Sequence, residues 1–275
     1  MNLRHVFAIA QKDWIEVRQN KYALSAMLIL PIMFVVILPL IFTVAIPRLN
    51  VDPQSVINSD RDIEIFIQSL PPMMKQYINW NEPYQAMIVA MLGYMLAPMF
   101  LMLPLMFSST IASESFAGER ERKTMEALLY TPATDMELFS GKILAAAVPA
   151  IGITWIAFAV YTLILNIAPW EYFQRVWFPL PTWWPLIFWV TPALVSLSIA
   201  FSVLISARVQ TFMEAYQSSA SIVLLVVLLF AGQMTGVLYL SVGVQMVLGA
   251  IIWALGIALT LMAVRGFQRT TLLKG

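Results

Sequence analysis

The sequence predicts an all-α integral membrane protein: six transmembrane helices, an N-terminal amphipathic helix at the interface, and a short charged cytoplasmic helix between spans two and three. Three observations carry this prediction: the composition, the long uncharged runs, and the skewed placement of lysine and arginine. Of 275 residues, 60% are hydrophobic and 11% charged, with a mean hydropathy of +0.80. A soluble domain carries roughly a quarter charged residues, so most of this surface must meet something other than water.

The uncharged runs are 22–47, 83–113, 143–170, 176–207 and 215–264. About 20 apolar residues cross the ~30 Å hydrocarbon layer, so the first four runs hold one span each. The fifth would be about 75 Å long as a single helix at ~1.5 Å per residue. It must fold back, and Gly232, Gly236, Ser241 and Gly243 offer the turn. The expected spans are 22–47, 85–111, 143–168, 185–206, 217–239 and 243–264, within one domain covering 1–275. They leave an outer loop at 48–83 and a cytoplasmic loop at 112–142.

An even number of spans puts both termini on one side. Arg4, Lys12, Arg18, Lys21, Arg120, Arg122, Lys123, Lys142, Arg208, Arg265, Arg269 and Lys274 share that side, against Arg48, Arg61, Lys75 and Arg175 on the other. The positive-inside bias makes the richer side cytoplasmic. The chain is then a multi-pass protein of the inner (plasma) membrane with both termini inside. Trp170, Tyr172, Phe173, Trp177, Phe178, Trp183 and Trp184 fall on the outer side as an expected interfacial belt.

The N-terminus does not read as a cleaved signal, because its charged lead runs to Lys21 and includes Asp13 and Glu16. Leu3, Val6, Phe7, Ala10, Trp14 and Val17 instead recur at helical spacing with charges opposite. That pattern is an amphipathic helix lying on the membrane surface. In the outer loop, Asp52, Asp60, Asp62, Glu64 and Glu82 with Pro53, Pro71 and Pro72 read as a solvated segment, with a short helix near 62–70.

Several chemistries lack their residues. There is no cysteine and a single histidine, His5, so thiol catalysis, thiolate sites and histidine metal clusters are excluded. The seventeen methionines are scattered through the apolar runs as gap fillers. The net charge of +1 points to no nucleic-acid partner. Every acidic and basic residue can be assigned to a loop or a span end. Ion-coupled carriers place ionisable groups within the membrane, so an energy source in another subunit is expected. Pro31, Pro39, Pro98, Pro104, Pro149 and Pro192 fall in or near spans, where they can kink helices. Gly232 and Gly236 form a G-x-x-x-G that can pack helices within or between subunits.

The cytoplasmic loop is the distinctive segment. From Glu119 onward it reads as a helix, with Glu119–Lys123 and Arg122–Glu126 as i,i+4 ion pairs. Met125, Leu128 and Leu129 share a face, and Pro132 ends the helix. Thr134 and Glu137 form a capping box that opens the third span. On these residues alone the helix is either a solvated connector or a lever that passes movement into the membrane. Gly118 to Thr124 gives G-x-x-x-x-K-T, which lacks the second glycine of a phosphate-cradling loop and follows no strand.

The loop resembles the signature of the type-2 (ABC-2) permeases of ATP-binding-cassette transporters. The matching positions are Glu119, Glu121, Thr124, Glu126, Leu128, Leu129, Thr131 and Pro132, followed by Glu137, Leu138, Gly141 and Lys142. Met125 departs from the smaller or glycine-rich turn of many members. The resemblance implies an export permease that binds no cofactor itself and works with two separate ATPase subunits, which hold ATP and Mg. A second permease copy or paralogue completes the assembly. The charged helix becomes the coupling helix, with Glu114, Glu119, Glu121, Arg122, Thr124, Glu126, Leu128, Leu129 and Pro132 as the ATPase-coupling residues. An ion-coupled secondary carrier and a non-transporting membrane assembly factor stand as the alternatives. The substrate and its binding residues are not legible.

Overall fold

The computed structural model describes residues 2–49, 75–76, 82–124, 133–235 and 237–266. Among them, six helices are long and apolar enough to cross a membrane. They are the first span (Met27–Arg48), second (Ala97–Glu121), third (Asp135–Ile167), fourth (Trp183–Ser206), fifth (Phe212–Met234) and sixth (Val242–Val264). The chain is an all-α multi-pass membrane protein. The turn within the long fifth run falls at 235–241, and the Leu238 amide closes it onto the Gly232 carbonyl at 2.9 Å.

The second and fourth spans form the core. Leu101, Leu103, Leu105, Phe107 and Ile111 of the second and Val190, Ala193, Leu194 and Val195 of the fourth are buried. The first, third, fifth and sixth surround them. Leu28, Ile32, Ile156, Leu163, Leu228, Leu255 and Leu261 stay exposed, as side chains that face lipid tails do. Helix also precedes the second span, over Pro83–Ile88 and Val89–Met95.

Backbone irregularity tracks proline. Wide, π-type turns precede Pro39 (Ile32–Ile37), Pro47 (Ile41–Ala45), Pro98 (Val89–Met95) and Pro192 (Leu186–Val190). A proline lacks the amide that an i→i−4 bond needs, so the winding loosens nearby. Pro149 behaves differently, lying within the uninterrupted helix Asp135–Ile167.

The expected aromatic belt is largely a packed core. Trp183 is fully buried, Phe178 and Phe173 are buried, and only Trp170 and Trp184 stay half exposed. The Trp183 ring stacks on Tyr161 at 5.3 Å and meets Phe178 edge-on at 4.9 Å. Such pairs add about 0.5–1.5 kcal/mol each beyond area burial. Asn166 pins the connector outside the third span: its Oδ1 accepts from the Trp177 and Phe178 amides and its Nδ2 donates to the Phe178 carbonyl. Periodicity could not reveal this, because the residues that cover the aromatics are far away in the chain.

The glycine pair of the fifth span resolves in part. A Cβ on Gly232 would meet Leu238 at 3.3 Å, so this glycine packs against its own turn. Gly236 lies outside the described residues, as do the proposed helix at 62–70 and the acidic residues of the outer loop up to Glu64.

Candidate functional site

At the end of the bundle opposite the aromatic core, the N-terminal helix (Leu3–Gln19) docks on the start of the third span. Asn2 caps it, its Oδ1 accepting from the Arg4 amide at 3.1 Å. The docked face is Val6, Asp13 and Val17, all buried, while Leu3 and Phe7 remain exposed. The expectation that charges lie opposite the apolar stripe is therefore corrected. Asp13 sits in the middle of the buried face, and the exposed Leu3–Phe7 edge is the part left for a membrane interface.

Gly141 makes the docking possible. A Cβ there would lie 2.9 Å from Ile9 and 3.0 Å from the Val6 carbonyl, closer than real side chains approach. The third span opens with the expected capping box: the Glu137 amide donates to Thr134 Oγ1 at 3.3 Å and the Thr134 amide to Glu137 Oε2 at 3.0 Å. The same carboxylate accepts from the Asn2 amide at 2.5 Å and lies 3.3 Å from His5 Nδ1. One glutamate thus caps a span and holds the first turn of the N-terminal helix.

Beneath Gly141 lies a buried ionic cluster. Lys142 Nζ donates to the Ser115 carbonyl at 2.7 Å, to Asp13 Oδ2 at 3.2 Å and to Glu119 Oε2 at 2.5 Å. Lys12 bridges Glu119, Glu16 and Asp13 from the half-exposed side. Ser115 donates to Asp13. Arg122 reaches Glu114 at 2.6 Å and Glu16 at 3.3 Å, and Asn20 Nδ2 donates to Glu114 at 2.8 Å. Burial alone would lower the Lys12 pKa, but the hydrogen bond and charge of Glu119, with Asp13 and Glu16, raise it above the ordinary lysine value. The carboxylates of Asp13, Glu16 and Glu119 are close enough to hold a metal ion. Two ammonium groups already supply positive charge there, so the trio reads as an ion-pair lock.

These contacts revise the expected loop. The second-span helix does not end near 111; it continues through a wide turn at Glu114–Gly118 and stops at Glu121. Gly118 leaves room for the Glu114 carboxylate, whose oxygens lie 3.1–3.2 Å from where its Cβ would be. Glu119 pairs with Lys12 and Lys142, and the expected Glu119–Lys123 pair is absent. The reason is local: Lys123 adopts φ 58° and turns the chain away. The Thr124 amide bonds to the Glu119 carbonyl and the Lys123 amide to the Arg120 carbonyl, both at 3.0 Å, which is the Schellman arrangement of a helix C-terminus. Glu114 and Glu119 are buried, whereas Glu121, Arg122, Lys123 and Thr124 are exposed. Glu126, Leu128, Leu129 and Pro132 lie outside the described residues.

Two ties here were not read from the sequence. Arg120 Nη1 donates to the carbonyls of Ser206 at 2.9 Å, Ala207 at 3.2 Å and Val209 at 3.3 Å, where the fourth span ends. Glu121 Oε2 accepts the amide of Phe212, the first residue of the fifth span, at 2.8 Å. A cation thus satisfies orphan carbonyls and an anion an orphan amide, each at the favourable pole of its helix. The charges were visible, but nothing in the spacing indicated partners about ninety residues away.

A six-span helical bundle with a buried ionic cluster at one end, and a charged helix terminus emerging there, defines a multi-pass membrane protein. The chain belongs to the ABC-2 family: the family described as "ABC-2 family transporter protein" matches residues 7–267. It is accordingly a permease component of an ABC transporter, in a family whose members are generally non-catalytic membrane components. Comparison with curated proteins finds no match.

Proposed function

We propose that this permease moves its substrate outward across the inner membrane, driven by two separate ATPase subunits that bind ATP and Mg. A second copy or a paralogue completes the pathway, and both termini face the cytoplasm. The observation that carries this reading is the exposed helix terminus Glu121–Thr124, which leads directly into the 125–132 segment. Glu121, Arg122 and Thr124, with the segment to Pro132, form the face offered to the ATPase. Glu114 and Glu119 act from within, because a buried carboxylate already held by lysine or arginine has no free surface for a partner.

The buried lysine gives the ion-coupled carrier its strongest argument, since such carriers rely on ionisable groups inside the membrane. Against it, no Asp, Glu, Lys, Arg or His of the described spans lies between the cluster and the opposite end of the bundle. A proton or ion would find no relay. The cluster supports a structural lock better than a transport site.

The test is to purify the tagged chain from its native membranes and identify the ATPase that accompanies it. Replacing Arg122 and Lys123 together by glutamate is expected to reduce recovered ATPase at least tenfold. Full recovery would show that this terminus is not the docking face. Transport that persists after ATP depletion would favour the carrier.

A further inference from the structure

The second-span helix and the wide turn Val89–Met95 that precedes it are tied to the same three neighbours, in the same order, at both ends. At the aromatic end, three consecutive carbonyls of the wide turn Val89–Met95 each accept a side-chain donor. Tyr161 of the third span donates to Leu92 at 2.9 Å, Trp183 of the fourth to Gly93 at 2.7 Å, and Gln233 of the fifth to Tyr94 at 2.5 Å. Pro98 has no amide to offer the Tyr94 carbonyl four residues before it or the Gly93 carbonyl five before it, which leaves both open to side-chain donors. At the charged end, three consecutive side chains repeat the sequence. Glu119 holds Lys142 of the third span, Arg120 the last carbonyls of the fourth, and Glu121 the first amide of the fifth.

We propose that Arg120, supported by Glu121, is a positioning residue of the transport cycle: it fastens the fourth and fifth spans to the second, so that displacement at the segment after Glu121 moves all three together. This rests on the proposed ATPase docking at that segment. Without Arg120, the second and third spans would still be joined by Glu119–Lys142. The fourth and fifth would keep their packing and, among the described residues, the Glu121 hydrogen bond at this end. All three carbonyls are reached from one nitrogen, Nη1, which the arginine side chain carries one bond farther from the backbone than a lysine carries its ammonium.

The chain contains no cysteine, which allows direct measurement. Leu49 and Val237 are exposed, at the end of the first span, which is not one of the three, and in the turn after the fifth. Leu49→Cys and Val237→Cys carry spin labels in the complete permease–ATPase complex, with labelled copies diluted by unlabelled ones. Adding ATP with vanadate is expected to shift the distance distribution in otherwise unaltered protein. In Arg120→Ala the shift falls to less than half, while the nucleotide-free distance and the amount of bound ATPase stay unchanged. Arg120→Lys recovers part of it. A merely structural role would alter the nucleotide-free distance instead.

An unaltered shift in Arg120→Ala overturns the proposal, as does no shift in the unsubstituted complex. If Arg120→Ala cannot be purified, Arg120→Lys decides: a reduced shift supports the proposal and a full one overturns it. Absence of any ATPase from the unsubstituted preparation would sink the docking reading, a result distinct from these.

Discussion

Lys142 illustrates how much one residue can carry at this end of the molecule. Its ammonium is fully buried and faces Asp13, Glu119 and Ser115 from two other elements. Taking charges out of water is costly, and removing one partner of a buried pair costs about 3–5 kcal/mol. Here Lys12 would be left as the one cation on both Asp13 and Glu119 among the described contacts. Lys142→Met is therefore expected to lower the thermal midpoint in detergent markedly. Adding Asp13→Asn and Glu119→Gln to Lys142→Met is expected to recover much of the loss. If the triple variant is no more stable than the single one, the charges are not the reason. Lys12 adds a pH signature. Its raised pKa means that its contribution is complete below 10.5, the ordinary lysine value, and fades as pH rises toward the folded-state value. Docking of the N-terminal helix, followed by protease protection of residues 3–19, should show this loss on the alkaline side. Lys12→Met should lack that Lys12-dependent part of the alkaline loss.

Among the elements, the two helix ends flanking the 125–132 segment are built by different means. The second-span end places Lys123 in the left-handed region at φ 58°, where a side chain costs roughly 1 kcal/mol and glycine nothing. Lys123→Gly is expected to raise stability by about 0.5–1 kcal/mol, read as the denaturation midpoint. A loss would mean that the lysine side chain contributes more than its backbone strain. The third-span start relies on Glu137, which closes the capping box and also grips Asn2 and His5. Capping residues contribute about 0.5–2 kcal/mol. Glu137→Ala is expected at the upper end of that range, with faster hydrogen exchange at residues 2–6 as well as at 134–138. Exchange confined to 134–138 would show that the grip on the N-terminal helix is incidental.

For the molecule as a whole, orientation is the property that most constrains function. From the lysine and arginine skew, the charged end is expected to face the cytoplasm. Lys123→Cys and Gln210→Cys, both exposed there, should react with a membrane-impermeant maleimide only after the cells are opened. Val237→Cys should react in intact cells. The reverse pattern would invert the topology and remove the ATPase face from the cytoplasm. The sequence by itself determined the all-α membrane class, six spans, the capping box at Thr134–Glu137 and the family signature. Each follows from local quantities: hydropathy summed over a run, residue spacing within a turn, and a motif read in order. The tertiary structure decided that Glu114 and Glu119 are buried locks, that Asp13 lies on a docked face, and that Arg120 and Glu121 reach the fourth and fifth spans. Those outcomes depend on side chains about twenty to a hundred and thirty residues apart meeting where helices close, as at Gly141. A charge in a sequence has a sign and a position, but whether it meets water or a partner is set by what packs over it.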